Sequence, residues 1–191
     1  MLILFDIDGT LLRTEGAGMS AMLATAHELF PTKTFSFDGI SISGRLDRLI
    51  WRDLMTRGGV EPTAEIHEVF RENYGAHLRR GFSQNSRAHA LAGAQKLVDA
   101  LHAQSGLGLG LLTGNYEHTG RMKVEQAGFS LEPFQHNAWA DDGDHRRELP
   151  PVAIQRYSEK MGRGIDTSRV IVIGDTPLDV DCAHFNGCLA I

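Results

Sequence analysis

Residues 2–12, LILFDIDGTLL, constrain the fold of this chain more than any other stretch. Residues 2–6 open with four apolar side chains and no polar alternation, which reads as a short strand buried on both faces. Such strands belong to parallel sheets covered by helices on each side. The strand runs straight into Asp6 and, two residues on, Asp8, followed by the turn formers Gly9 and Thr10. In open parallel sheets the carboxyl edge of the strands is where ligands bind, beside the topological switch point. Two acids placed there predict a site at that edge.

The rest of the chain supports such a sheet. From residue 88 onward, strands and helices alternate: GAQKLVDALHAQ, LGLGLLT, EHTGRMKVEQAG, HNAWA, PPVAIQRYSEKMG, RVIVIG, LDVDCAHFNG and CLAI. We expect strands at LGLGLLT, HNAWA, RVIVIG and CLAI, with helices between them, giving an α/β fold with a Rossmann-like parallel sheet sandwiched by helices. Residues 15 to about 85 have a different rhythm. GAGMSAMLATAHELF, RLDRLIWRDLM and PTAEIHEVFRENYGAHL carry apolar residues at helical spacing, and Pro62 suits the first turn of the third helix. Gly108 and Gly110 sit in a strand and are expected to flatten one face for close packing.

Composition narrows the function. The chain has 191 residues, 42% hydrophobic and 23% charged, enough for a core and too little charge for disorder. A net charge of −5 disfavours a nucleic-acid partner, which needs a basic face. No apolar run approaches a membrane span, and Asp6 interrupts what would be the core of a signal peptide. The two cysteines, Cys182 and Cys188, have no metal-ligand spacing and read as small buried hydrophobes. A soluble, cytoplasmic protein is expected. ADDGDH at 140–145 lacks the long loop and closing Glu of a calcium hand and reads as a solvated loop.

The polar groups that end the strands point to one chemistry. Asp6 ends the first strand; Thr113, Gly114 and Asn115 end LGLGLLT; Asp175 ends RVIVIG, with Asp179 four residues on. Carboxylates crowded this way disfavour one another's charge unless a cation is present. Mg2+, a hard cation with oxygen ligands, resolves the conflict at an open site that also takes phosphate oxygens. Asp6 is then the candidate nucleophile and Asp8 the candidate proton donor and acceptor. The Thr113 hydroxyl and the amides of Gly114 and Asn115 can cradle a phosphoryl oxygen. Arg45, after Gly44, could reach an anionic group of the substrate.

With these residues in view, the chain resembles the haloacid dehalogenase-like superfamily, mostly magnesium-dependent phosphatases, in its phosphoglycolate phosphatase and β-phosphoglucomutase-like branch. DIDGT at 6–10 matches the first motif, LLTGN the second, and VIVIGDTPLDV the fourth, all in order. The resemblance implies an aspartyl-phosphate on Asp6, acid and base work by Asp8, and Mg2+ held by Asp6, the backbone carbonyl of Asp8, and Asp175, with Asp179 in support. It implies a catalytic core of residues 1–13 and 88–191 and an inserted all-helical cap of 14–87. The third motif, usually Lys before Pro-x-Pro, departs to RRELPP; Arg147 takes the cationic place in this reading, with Arg146 its competitor.

The expected activity is hydrolysis of a small phosphorylated metabolite. A phosphomutase using the same residues, or a catalytically silent binding module on this fold, are the alternatives. The CLAI strand also suggests self-association through an uncovered sheet edge.

Overall fold

The computed structural model describes residues 1–84 and 88–191. A four-stranded parallel sheet has β1 (Leu2–Phe5) at its heart, flanked by β4 (Gly108–Leu111) on one side and β5 (Val170–Ile173) on the other, with β6 (Leu189–Ala190) outside β5. Register is uniform: Phe5 lies opposite both Leu111 and Ile173. The residues that follow these three partners therefore emerge at the same rim, which brings Asp6, Thr113 and Asp175 together.

Alternation along β1 supplies the two faces. Leu2 and Leu4 join Val170 and Val172 in a cluster covered by α6 (Leu149–Met161) and α7 (Pro177–Phe185). Ile3 and Phe5 join Leu109 and Leu111 in a second cluster covered by α4 (Ala94–His102) and α5 (Glu117–Gln126). These strands are short apolar runs because both faces are dry. Gly108 and Gly110 meet the expectation placed on them. A Cβ on Gly110 would lie 2.1 Å from the His136 carbonyl oxygen, and one on Gly108 would press on Tyr157 at 2.7 Å.

The helical segment leaves and returns through a two-stranded ribbon. β2 (Leu12–Arg13) pairs antiparallel with β3 (His89–Ala90). Between them stand α1 (Ala17–Leu29), α2 (Asp47–Arg57) and α3 (Ala64–Gln84). α1 packs on α3, and α3 reaches α5. The expected cap boundary at residue 87 lies outside the described residues.

Two expectations need correction. Pro62 precedes α3 instead of starting it; Thr63 caps the helix, its Oγ1 accepting from the Ile66 amide at 3.4 Å. HNAWA makes no strand. Alongside β4 it forms an isolated bridge, Leu112–Ala138, in place of a ladder, with a second bridge at Leu109–Phe134 just before it. The side chain of Asn137 is the reason: its Oδ1 accepts the Leu111 amide at 2.8 Å, where a strand would offer a backbone carbonyl.

Candidate active site

Asp6 is held from both sides. Its amide donates to the Ile173 carbonyl at 2.9 Å, and its Oδ1 lies 3.0 Å from Nη2 of Arg146. Burial pushes the carboxyl up to about 6; Arg146 pulls against that rise, and Asp179 and Asp8 add to it. Arg146 is itself buried. Nη1 donates to the Gly44 carbonyl at 3.0 Å and Nη2 bonds Asp179. Burial works against its charge, yet Asp6 and Asp179 outweigh burial and hold the guanidinium firmly protonated.

The adjacent arginine goes elsewhere. Arg147 is half exposed, with Nε and Nη2 on Asp181 at 2.7 and 2.6 Å and its guanidinium over the Phe185 ring. The structure sets Arg146 beside Asp6, one residue before the Arg147 that the sequence reading placed there. Both arginines lie in a 3-10 turn, Arg146–Glu148. Neighbours there point about 120° apart, so only one can face Asp6.

Asp8 has different company. Lys123, on α5, donates to Asp8 Oδ2 at 2.7 Å and to Asn115 Oδ1 at 2.6 Å. Asn115 Nδ2 donates to the same Asp8 oxygen and to Thr113 Oγ1, each at 2.8 Å. Burial opposes the Lys123 charge, but Asp8 and Asp47 outweigh it and raise its pKa. Lys123 is absent from the motif reading. The signal was present: it falls on the stripe Gly120, Val124 and Ala127 of an otherwise polar helix, where a lysine needs a buried partner. Gly18 makes room for it, since a Cβ there would lie 3.4 Å from Lys123 Nζ and 3.2 Å from the Tyr74 hydroxyl.

Asp6, Asp175 and Asp179 each place a carboxylate oxygen within 4.8 Å of the others. The donor set is hard and anionic, and it fits Mg2+. Asp175 approaches the Asp8–Thr10 turn only because Gly9 is bare: at φ +89 a Cβ would sit 2.2 Å from Asp175 Oδ2. Asp179 already serves two partners. Oδ1 meets Arg146, while Oδ2 accepts from the Thr176 amide at 3.0 Å and its hydroxyl at 2.6 Å, a reciprocal cap at the start of α7.

The helical segment closes over this rim. The Asp47 amide donates to the Gly114 carbonyl at 2.6 Å, and Asp47 Oδ2 accepts the Tyr116 amide at 3.1 Å. Burial raises Asp47 to about 7, with Lys123 and the Tyr116 amide pulling the other way. The loop 140–145 is not merely solvated: Asp141 pairs with Arg71 of α3 at 3.1 Å, and Asp142 with Arg156 at 2.7 Å. Asp6, Asp8, Thr113, Gly114, Asn115, Asp175 and Arg45 line one cavity of about 230 Å3, together with Arg146, Lys123 and Asp47. The Arg45 guanidinium bonds the Ser41 carbonyl at 3.0 Å and Asp53 at 2.8 Å.

Comparisons with known proteins agree with this fold. A family model described as haloacid dehalogenase-like hydrolase matches residues 3–184. No curated protein matches the chain. Among solved structures, a β-phosphoglucomutase from Clostridium difficile superposes with a TM-score of 0.74 at 15% identity, covering 99% of this chain and 82% of that one. A hydrolase from Pseudomonas syringae gives 0.70 at 21% identity, with 99% and 82% covered. CbbY from Rhodobacter sphaeroides, in complex with phosphate, gives 0.65 at 19% identity, with 99% and 84% covered. By its matched length, its parallel α/β fold and its motif residues gathered at one rim, the chain belongs to the haloacid dehalogenase-like hydrolases.

Proposed function

We propose that this protein is a Mg2+-dependent phosphatase that hydrolyses a small phosphorylated metabolite through a phosphoryl group carried on Asp6. One observation carries the reading: two carboxylates on one turn stand in different surroundings, Asp6 against Arg146 and Asp8 against Lys123 and Asn115. Such a division lets one acid act as nucleophile while the other moves protons.

In the first step an Asp6 oxygen attacks phosphorus and the ester P–O bond breaks. Asp8 gives its proton to the departing alcohol oxygen. In the second step Asp8 takes a proton from water as that water attacks phosphorus, the bond to Asp6 breaks, and inorganic phosphate leaves. Arg146, the Thr113 hydroxyl and the amides of Gly114 and Asn115 orient the phosphoryl oxygens. Lys123 positions Asp8. Mg2+, held by Asp6, the Asp8 carbonyl and Asp175 with Asp179 in support, would supply the positive charge that lets a phosphate dianion approach these carboxylates. The helical segment of α1, α2 and α3 acts as a cap over the core and excludes bulk water from the reacting atoms. The two buried, free cysteines suit a reducing cytoplasm.

A panel of small phosphoesters, read by released phosphate, tests the reading. Release should require Mg2+, vanish in excess chelator and vanish in Asp6→Asn. Undiminished release in chelator overturns the mechanism. Isomerised phosphosugar in place of free phosphate identifies a mutase, and Mg2+ binding without turnover of any ester identifies a silent module.

A further inference from the structure

The end of the cavity that receives the alcohol part of the ester has a charge balance of its own. The phosphoryl group is met by groups of the sheet rim. The opposite wall comes from the helical segment: Met19, Met22, Ile42 and Ile50 give it apolar surface, and Asp47 gives it a carboxylate. The cavity, at about 230 Å3, suits an ester of a few carbons.

Every cation among the described residues lining this cavity already has an acidic partner. Lys123 is on Asp8 at 2.7 Å, Arg146 on Asp6 at 3.0 Å, and Arg45 on Asp53 at 2.8 Å. Asp47 has no such counter-charge at hydrogen-bond distance: the contact to its Oδ2 is the Tyr116 amide, a neutral donor at the start of α5. A second anionic group on the substrate would therefore enter beside a carboxylate, with each nearby cation already engaged. Burying an uncompensated charge beside one of the same sign is unfavourable. An alcohol hydroxyl meets no such penalty, because Asp47 can accept its hydrogen bond.

We propose that the leaving-group pocket selects phosphoesters of small uncharged alcohols bearing hydroxyl groups and rejects those whose alcohol part carries a carboxylate. The proposal rests on the phosphatase reading for the orientation of the ester and adds the substrate's charge class, with Asp47 as the discriminating residue.

Glycerol 3-phosphate and 3-phosphoglycerate make a matched pair, since they share a carbon skeleton and differ in a hydroxymethyl against a carboxylate. Their binding to the Asp6→Asn protein with Mg2+ is measured by calorimetry at about pH 8, where Asp47, pushed up to about 7, is mostly ionised. Glycerol 3-phosphate should bind at least about 10-fold more tightly. In Asp6→Asn/Asp47→Asn the gap should close by most of that factor, through tighter binding of 3-phosphoglycerate; Asn retains an acceptor for the Tyr116 amide. Equal binding of the two esters, tighter binding of 3-phosphoglycerate, or no binding of either overturns the proposal. So does an unchanged gap on replacing Asp47. Turnover by the wild-type protein separates the two claims: the expected binding order without phosphate release from any ester overturns the phosphatase mechanism and upholds the charge selection.

Discussion

In the proposed reaction a phosphoryl group arriving at Asp6 brings negative charge to a carboxylate already buried, and Arg146 lies 3.0 Å from that carboxylate. Removing that guanidinium would leave Asp6 and Asp179 facing each other without their shared partner. Arg146→Ala should therefore lower kcat/KM by roughly 10²-fold or more, the scale of one lost preorganised donor. It should also destabilise the fold by about 3–5 kcal/mol, because one partner of a buried ion cluster is gone. Arg147→Ala should leave kcat/KM within about 2-fold of wild type, as expected for a surface residue away from the site. Steady-state kinetics and denaturant melts of the two variants decide the assignment; a silent Arg146→Ala with a crippled Arg147→Ala reverses it. The motif could place a cation in this turn, but consecutive arginines carry no apolar spacing that says which one faces inward. Lys123 was hidden for a different reason. Its role depends on α5 lying against the Asp8 turn, a contact between residues 115 positions apart that no local pattern encodes.

Elements were legible where burial is simple. The strands LILF and VIVI and the helices beside them follow from apolar runs and helical spacing, because their neighbours demand little beyond shape. HNAWA was less legible because one side chain, Asn137, replaces a backbone acceptor, and periodicity is blind to such a substitution. The junction between the α2 entry and the sheet rim was not legible at all, yet backbone meets backbone there without room for a methyl group. A Cβ on Gly114 would lie 2.0 Å from the Arg45 carbonyl oxygen and 2.8 Å from its carbon, both backbone atoms that cannot swing aside. Gly114→Ala should thus push the Gly44–Leu46 loop outward and break the bond from the Asp47 amide to the Gly114 carbonyl. Since a 1 Å misplacement can cost about 10²-fold, kcat/KM should fall at least about 10-fold, while far-ultraviolet dichroism stays that of the wild type. Wild-type kinetics in this variant would show that the contact does not position the site.

At the scale of the whole molecule, the site trades stability for charge, and Asp47 shows the sign of that trade. Burial raises its pKa from an ordinary 3.8 to about 7 in the fold. The folded protein therefore holds this proton more tightly than the unfolded chain does. Between those values the native state binds more protons than the unfolded state, so this group's contribution to stability falls as pH rises. It is fully present below about pH 4 and lost by about pH 7 and above, a shift worth up to about 4 kcal/mol. Asp47→Asn removes the titration while keeping an acceptor for the Tyr116 amide, so the remaining acids and histidines cancel in the comparison. Relative to wild type, Asp47→Asn should be more stable at about pH 8 than at about pH 4. Denaturant melts of both proteins across that range, in chelator so that no metal binds the rim, give the difference directly. A difference that stays flat with pH, or that favours the wild type increasingly as pH rises, would mean that Asp47 is not held as a strained buried acid. It would then stand as an ordinary solvated carboxylate, and the helical segment would not close over the rim as tightly as its bonds to Gly114 and Tyr116 require.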